Sequence, residues 1–400
     1  MNSFLTLFLI LPSVLEAKTC PADAKDLSRR IVSCRPEFTM PECRASVEDM
    51  ACSVVRELDT IHALVITLPK EEVSMSAALL AERPQIRRWE DDRYVENWIK
   101  DSSGFPPSKK TVSSFSMKEL SAADQEQPWG IVRLHAAQAW SRTIGKGVKV
   151  AVLDTGIDSR HPDLAANVRG GVNLRDPQQP QSIQDEQGHG THVAGIIAAA
   201  RDGQGVVGVA PQAALYSVKV LDPKGGGNYS DIIAGIDWCV KNRMQVVNLS
   251  LGAPDGMESL HEAVIKAKEA GLVIVAAAGN DSGGPTDYPA AYAETIAVSA
   301  SDQKDGFAGF SNRVSAVDFI APGTDIQSDK IGGGVISHSG TSMATPHMAG
   351  LAALAIASGA NGLAEVRRAL RSAASPLPGL SASQQGCGLV DAGKLVHESF

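Results

Sequence analysis

The sequence predicts an α/β fold in which a parallel sheet is covered by helices on both faces, preceded by a small α+β domain. Two observations predict this class. From about residue 125 onward, short apolar runs alternate with segments of helical periodicity. Before that point, a strand, a helix and a second strand follow one another in a short segment. The chain has 400 residues, a length that suggests two domains.

The larger domain contains uninterrupted apolar runs, which are typical of strands buried on both faces of a sheet. Predicted strands are residues 148–153, 215–220, 246–251, 272–277 and 296–299. Predicted helices are residues 192–200, 231–241, 259–270 and 342–357. Ligands of open parallel sheets bind beyond the carboxyl ends of the strands, so we expect the functional site at that edge.

The smaller domain is predicted from residues 61–68 and 86–95, which favour strands, and residues 73–81, which favour a helix. A further helix is predicted over residues 42–58. Residues 100–124 are rich in Ser, Lys and Pro without apolar periodicity, which is typical of an exposed linker.

The N-terminal apolar run, residues 4–15, is shorter than the roughly 20 residues that a membrane-spanning helix needs. It predicts a signal peptide, residues 1–17, and therefore a secreted protein. The chain is 44% hydrophobic and 20% charged, with a net charge of −8. This composition is typical of a soluble globular protein and gives no reason to expect nucleic acid or a membrane as a partner.

Six cysteines fit an oxidising compartment. Four of them cluster near the N-terminus and predict two disulfides in any of three pairings: Cys20, Cys34, Cys43 and Cys52. A zinc site is disfavoured there because only His62 is near and no CxxC pair occurs. Cys239 and Cys387 are isolated, and we expect Cys239 to be a buried free thiol.

Three polar residues stand at the ends of apolar segments. Asp154 follows the predicted strand 148–153, His189 begins an apolar helix, and Ser342 precedes an Ala-rich helix. Serine becomes a nucleophile when a neutral histidine takes its proton, and a buried carboxylate orients that histidine. A helix N-terminus also favours the negative charge that develops on the serine or its adduct. These residues are therefore candidates for nucleophilic catalysis.

Asn280 stands after another buried strand, in a Gly-Asn pair. Its side-chain amide and the backbone N–H of Ser342 are the two kinds of donor that stabilise an oxyanion.

With these residues in this order, the chain resembles the subtilisin-like serine proteases, the subtilases. The matching motifs are V-L-D-T-G-I-D at 152–158, G-H-G-T-H-V-A-G at 188–195, N-L-S-L-G at 248–252, A-A-A-G-N at 276–280 and G-T-S-M-A-T-P at 340–346. The resemblance runs from about residue 125 to the C-terminus. It implies a serine endopeptidase with Asp154, His189 and Ser342 as its triad, Asn280 as its oxyanion residue, and no cofactor for catalysis.

The resemblance also implies a zymogen. Residues 18–123 would be a propeptide, with an inhibitor-like domain at about 60–99 and a linker at about 100–123, and residues 124–400 the peptidase domain. We expect self-cleavage between Leu120 and Asp124, with the propeptide acting as an intramolecular inhibitor of a monomeric enzyme. A small independent α+β module is the alternative for the first domain.

By the same resemblance, two segments form the walls of the P1 pocket, which holds the residue before the scissile bond. They are Ser250, Leu251 and Gly252, and Ala277, Ala278 and Gly279. Small apolar walls predict an apolar or aromatic P1 residue in polypeptide substrates. Gly227 would pair with extended substrate, and Tyr229 and Ile232 would line the P4 pocket. We expect Asp281, at the rim, to broaden P1 tolerance toward Lys or Arg.

A structural calcium site is implied as well, since the resemblance brings six oxygen donors together. They are the carboxylates of Asp163 and Asp202, the amide of Gln125 and the carbonyls of Ala200, Gln204 and Val206. An ordinary solvated turn is the alternative. A metal pair at His189 and His192 is disfavoured because no third ligand is in view.

Other functions remain open at this point. Asp154-Thr-Gly and Asp281-Ser-Gly are the triplets of an aspartic protease, but that class needs an all-β bilobal fold. A catalytically silent binding protein on the same scaffold is a second alternative. A narrow-specificity processing enzyme is a third.

Overall fold

The computed structural model of the protein describes residues 20–21, 23–96, 98–99, 125–313 and 317–396. The predicted signal peptide, the linker at 100–123 and the predicted cleavage window at 120–124 lie outside the described residues. The chain divides into two compact units. One comprises Met1–Glu57 and His62–Asp91, and the other Leu58–Ile61 and Asp92–Phe400.

The first unit contains a four-stranded sheet in the order β2-β3-β1-β4. Its strands are β1 (Leu27–Cys34), β2 (Ser53–Leu58), β3 (Ala63–Pro69) and β4 (Ile86–Asp91), and its helices are α1 (Met40–Ala45) and α2 (Val73–Ala81). Strand β1 pairs antiparallel with both β3 and β4. The Cys-bearing segment and the segment that we assigned to an inhibitor-like domain therefore share one sheet, and no boundary at about residue 60 separates them.

The helix predicted over residues 42–58 is wrong from residue 46 onward. Thr39 and Glu42 form a capping box that starts α1, but the helix ends at Ala45. Residues 53–58 instead form β2, because their β-branched side chains pack in the sheet. The disulfides join Cys20 to Cys52 and Cys34 to Cys43, which selects one of the three pairings that the sequence allowed.

The strand predicted over residues 86–95 is divided in two. Strand β4 ends at Asp91, and β5 (Tyr94–Val95) belongs to the second unit, where it pairs antiparallel with β9 (Gly227–Asn228). Strand β1 was not predicted. Its first four residues are only partly buried, so its sequence carries a weak apolar signal.

The second unit contains a nine-stranded sheet in the order β16-β17-β13-β12-β11-β10-β6-β8-β7. The strands are β6 (Lys149–Asp154), β7 (Val168–Asn173), β8 (Ala214–Lys219), β10 (Val246–Leu249), β11 (Val273–Ala277), β12 (Thr295–Ser301), β13 (Phe319–Pro322), β16 (Ala374–Ser375) and β17 (Leu389–Val390). Every ladder from β7 to β17 is parallel, and β16 pairs antiparallel with β17. The predicted parallel sheet is confirmed, and it contradicts the all-β fold of an aspartic protease.

Ten helices accompany this sheet within the described residues, and β14 (Ile326–Asp329) forms a hairpin with β15 (Val335–His338). The helices are α3 (Trp129–Arg133), α4 (Ala136–Ala139), α5 (Pro162–Ala165), α6 (His189–Ala198), α7 (Tyr229–Lys241), α8 (Glu258–Glu269), α9 (Thr341–Ala357), α10 (Gly362–Ala373), α11 (Ala382–Gln385) and α12 (Ala392–Leu395). Helix α9 is buried from Thr341 to Ala355 and packs against β10, β11, β12 and β13, because nearly every side chain it presents is small or apolar.

Cys239 is buried in α7 as a free thiol, as predicted, and burial raises its pKa. Cys387 is also free. Among the described helices, none alone has the length and hydropathy for a membrane span; α9 and α10 meet those limits only as a pair bent by 106°.

Candidate active site

The carboxylate of Asp154 lies fully buried at the carboxyl end of β6. The first residue of α6, His189, places its Nδ1 2.9 Å from both Oδ1 and Oδ2 of Asp154. Thr155 also donates its backbone N–H to Asp154 Oδ1 at 2.7 Å. A carboxylate only accepts hydrogen bonds, so Nδ1 of His189 carries the proton and Nε2 is the basic nitrogen of the neutral ring.

The approach of α6 to β6 depends on Gly190. A methyl group at this position would collide with the carbonyl of Gly156 and lie 3.1 Å from Asp154 Cβ. Its backbone N–H instead bonds to Thr155 Oγ1 at 3.1 Å. The Gly after His189 therefore lets the helix begin in contact with the strand end that carries the aspartate.

Asp185 supports the same junction and was missed by sequence reasoning. Its buried carboxylate accepts hydrogen bonds from Thr155 Oγ1, from the N–H groups of Gln187 and Gly188, and from the N–H and hydroxyl of Thr191. The available signal was an aspartate just before the helix, since such residues satisfy the unpaired N–H groups of a first turn.

Ser342 lies in the first turn of α9, the helix that packs against α6. Its side chain is buried, and its Oγ donates to the carbonyl of Ser250 at 3.1 Å. Ser250 Oγ donates in turn to the carbonyl of Ser342 at 2.8 Å. The hydroxyl of Ser342 and the imidazole of His189 are thus presented by the N-terminal turns of two adjacent helices.

The side chain of Asn280 is held in one orientation by Thr341. The N–H and the Oγ1 of Thr341 both donate to Asn280 Oδ1 at 2.9 Å, which fixes Nδ2 on the other side of the amide. A methyl group at Gly340 would lie 3.3 Å from Asn280 Nδ2 and 3.6 Å from the backbone nitrogen of Ser342. These two donors therefore border the same small region beside Gly340, with Met343 Sδ 3.7 Å from the same point, and two such donors side by side are what an oxyanion requires.

His192 lies fully buried in α6, three residues after His189, and its Nε2 faces the carbonyls of Ile326 and Ile336 at 3.0 and 3.2 Å. Burial, together with the nearby His338 and His189, lowers its pKa well below the usual value. A neutral His192 packed in this way supports the structure around His189.

The two predicted P1 walls both begin at the first turn of α9. Ser250 is bonded to Ser342 as described, and the N–H of Gly279 bonds to Thr341 Oγ1 at 3.2 Å. All six predicted wall residues are buried. They are Ser250, Leu251, Gly252, Ala277, Ala278 and Gly279.

A carboxyl group that the sequence reading missed, that of Asp287, adjoins both walls. Its N–H donates to the carbonyl of Ala278 at 2.9 Å. A methyl group at Gly252 would lie 3.2 Å from Asp287 Oδ2, and one at Gly279 would lie 2.5 Å from it. Asp281 is different, since it is exposed and its Oδ2 accepts from Asn312 Nδ2 at 3.0 Å.

The predicted substrate-pairing edge is occupied by the chain itself. Val95 pairs antiparallel with Gly227, and the indole N–H of Trp98 donates to the Gly227 carbonyl at 2.9 Å. The fully buried Trp98 ring packs against Tyr229, with centroids 4.9 Å apart. Ile232, one turn further along α7, is buried as well. The carbonyl of Trp98 accepts from the N–H of Gly252 at 3.1 Å, so Val95 and Trp98 bond to the glycine edge and Trp98 also bonds to a predicted P1 wall.

Five of the six predicted calcium donors converge in the structure. Gln125 Nε2 lies 2.8 Å from the Ala200 carbonyl and 2.7 Å from the Val206 carbonyl, and it also bonds to the Gln204 carbonyl. Asp163 Oδ2 accepts from the N–H of Val206 at 2.9 Å. The amide nitrogen of Gln125 has two hydrogens and therefore cannot donate to all three carbonyls. If the amide O and N of this side chain are exchanged, its oxygen joins the carbonyls in an oxygen cluster that fits a hard cation.

Asp202 is the sixth predicted donor, and it stands apart from this cluster. It is exposed, and its Oδ1 accepts from the N–H of Gln204 at 3.1 Å. A buried carboxyl that sequence reasoning missed, that of Asp329, lies within 4.8 Å of ligand atoms of Asp163 and His161. Burial, reinforced by the neighbouring carboxyl of Asp163, raises the pKa of Asp329 well above its usual value.

Comparison with known proteins shows one matching family and several similar proteases. The profile of the family described as "Subtilase family" matches residues 145–388. M-protease from Shouchella clausii (strain KSM-K16) is 43% identical over 308 residues, which cover 77% of this chain and 72% of the relative. Alkaline protease from Alkalihalobacillus alcalophilus is 41% identical over 347 residues, covering 86% and 82%. Subtilisin Savinase from Lederbergia lenta is 48% identical over 270 residues, covering 67% and 98%.

Proposed function

This chain belongs to the subtilase family and is a serine-type endopeptidase, and we propose that it is a secreted zymogen that processes itself through Asp154, His189 and Ser342. The observation that carries the assignment of the triad is the pair of 2.9 Å contacts between His189 Nδ1 and the buried Asp154 carboxylate. A second support is the placement of Ser342 at the N-terminus of the adjacent helix α9.

In the proposed reaction, Ser342 Oγ attacks the scissile carbonyl while His189 Nε2 takes the hydroxyl proton. Asp154 stabilises the resulting imidazolium. The Asn280 amide and the Ser342 N–H hold the oxyanion, and His189 then protonates the leaving amine. Water, deprotonated by His189, then attacks the acyl carbon; the bond to Ser342 Oγ breaks, and the leaving Oγ takes the proton back from His189. Every proton moves between these side chains, substrate and water, so the chemistry requires no cofactor.

A serine-directed organophosphonate tests this assignment of the nucleophile. We expect it to inactivate the enzyme and to label one peptide, the one that contains Ser342. An aspartic-protease inhibitor should leave the activity intact. The matched control is Ser250→Ala, which removes the neighbouring hydroxyl and should still be labelled. Labelling that persists in Ser342→Ala, or that maps to another residue, would contradict the proposal.

The zymogen proposal is supported by Val95, which pairs with Gly227 at the edge, and by Trp98, which is buried against Tyr229. An extended segment in this position blocks the edge that substrate would join as an added strand. We propose that the segment inhibits the enzyme until the chain is cut between Leu120 and Asp124, and that the mature enzyme is a monomer.

The P1 walls at 250–252 and 277–279, taken alone, favour apolar or aromatic side chains because their own side chains are small and mostly apolar. Tyr229 and Ile232 are proposed to line the P4 pocket, in the place that Trp98 takes in the zymogen. We further propose that calcium stabilises the fold, held by Asp163 and by the oxygen groups of Gln125, Ala200, Gln204 and Val206. Asp202 would contribute from the exposed side.

A further inference from the structure

The P1 pocket is not lined by small apolar groups alone. Its two walls are bonded to the first turn of α9 at Ser250 and Gly279, and each wall has a glycine beside Asp287. The Asp287 carboxyl adjoins Gly252 on one wall and Gly279 on the other. It therefore lies between the two walls.

Backbone hydrogen bonds fix the position of Asp287 and of the loop before it. Its N–H donates to the Ala278 carbonyl at 2.9 Å, which ties the residue to the wall at 277–279. The preceding loop is anchored by Asn312, whose Nδ2 donates to the Pro285 carbonyl at 2.8 Å. Asp287 is 2% exposed, so its carboxyl is largely removed from solvent.

Both walls are glycine where they meet the carboxyl. At Gly252 and Gly279 a methyl group would lie 3.2 and 2.5 Å from Asp287 Oδ2. The second distance is too short for a side chain, and the Asn312 amide nitrogen would lie closer still, so the carboxyl and this amide together fill the space that an alanine at 279 would need. The pocket thus combines narrow apolar sides with an acidic end.

From this arrangement we infer that Asp287 determines specificity for the residue before the scissile bond, and that the enzyme prefers lysine or arginine there. The inference rests on the proposed function, because it names the substrate class of the same cleft. The aliphatic stem of either residue fits the small walls, and its cationic end meets the carboxyl. An apolar side chain would cover the carboxyl with hydrocarbon and offer no opposite charge, which disfavours its binding.

This assignment replaces Asp281 as the source of any preference for basic residues. Asp281 is exposed and bonded to Asn312, so water screens its charge. Asp287 adjoins both walls and is shielded from water, where an ion pair with substrate is screened less. The two carboxyls therefore make different predictions for mutagenesis.

The test compares kcat/KM of the mature enzyme on fluorogenic peptides that differ only at P1. Lysine and norleucine form one matched pair, and arginine and citrulline form another, since each pair differs in charge but hardly in length. Phenylalanine provides the aromatic reference. We expect the wild type to favour lysine over norleucine and arginine over citrulline by at least tenfold, with phenylalanine below lysine.

In Asp287→Asn the charged-to-neutral ratios should fall at least tenfold, while norleucine and phenylalanine are cleaved as well as or better than by wild type. Asp281→Asn, the matched control, should keep the wild-type ratios. The inference is overturned if wild type cleaves norleucine or phenylalanine as well as lysine, or if Asp281→Asn alone loses the preference. If Asp287→Asn does not fold, the inference is still tested by the charged-to-neutral ratios of the wild type and by an Asp287→Glu variant, which keeps the carboxyl group. The proposed function itself would be contradicted by a different result, in which the organophosphonate does not label Ser342 and the enzyme cleaves none of the peptides.

Discussion

His189 Nδ1 is equidistant from the two carboxylate oxygens of Asp154, at 2.9 Å from each. The aspartate is buried at the end of β6, and the histidine begins α6. This contact fixes both the tautomer and the orientation of the imidazole, and it places a negative charge where an imidazolium forms during the proposed reaction.

Asp154→Asn should therefore lower kcat by roughly 10⁴-fold, the scale that measurements on the corresponding aspartate of subtilisin give. The asparagine amide can donate a hydrogen bond to His189 Nδ1, which favours the wrong tautomer of the ring. Because the amide carries no charge, it also cannot stabilise an imidazolium. Active-site-titrated kinetics measure the effect, and the surface variant Asp176→Asn is the control. A loss below about tenfold would show that this contact is not part of the catalytic machinery.

Asn280→Ala should lower kcat by roughly 10² to 10³-fold with little change in KM, a magnitude taken from the oxyanion-hole asparagine of subtilisin. The reason is that its amide is proposed to bind the oxyanion and not the ground-state substrate. Thr341→Val removes one of the two donors to Asn280 Oδ1, so its loss should be smaller. Steady-state kinetics on one peptide distinguish these results from a KM increase at unchanged kcat, which would contradict the role.

Acid should destabilise the fold through His347. This ring is fully buried, with Nδ1 bonded to the Met343 carbonyl at 2.8 Å, and burial lowers its pKa to about 4. The unfolded chain then binds a proton that the folded chain does not, so stability is complete above about pH 6.5 and is lost as pH falls toward 4. One such group contributes up to about 1.4 kcal/mol per pH unit.

Unfolding of Ser342→Ala protein at pH 7, 6, 5 and 4 measures this slope without self-digestion. Adding His347→Gln should flatten the dependence on pH, although His192, whose pKa is also lowered, continues to contribute. An unchanged slope in the double variant would mean that His347 does not titrate on unfolding.

Chelation should lower the melting temperature if calcium occupies the cluster around Asp163. At a calcium concentration about 100-fold above Kd, binding contributes about 2.7 kcal/mol, which corresponds to a shift of roughly 5–10 °C for a domain of this size. Asp163→Asn should remove most of the response to EDTA, Asp202→Asn a smaller part, and Asp176→Asn none. Equal melting with EDTA and with calcium in wild type would contradict a structural calcium site.

The parallel sheet and the candidate catalytic residues were predictable because their signals are local. Asp154, His189 and Asn280 each stand where an apolar segment begins or ends, and parallel strands bring those ends together. Resemblance to a known family then supplied their roles.

Other features depend on contacts between distant segments. Asp287 carries no local motif, and only the folded chain shows it between Gly252 and Gly279. The first half of strand β1 is only partly buried, and residues 53–58 join a sheet although a helix was expected. The cysteine spacing left three pairings open because four cysteines can form two disulfides in three ways.

We have proposed that this serine protease removes its own N-terminal region. Intact-mass analysis of the secreted chain, wild type beside Ser342→Ala, tests it most directly. We expect the wild-type chain to begin between residues 120 and 124 and Ser342→Ala to retain the whole segment after the signal peptide. Processing of Ser342→Ala at the same position, or a wild type that stays full length, would contradict it.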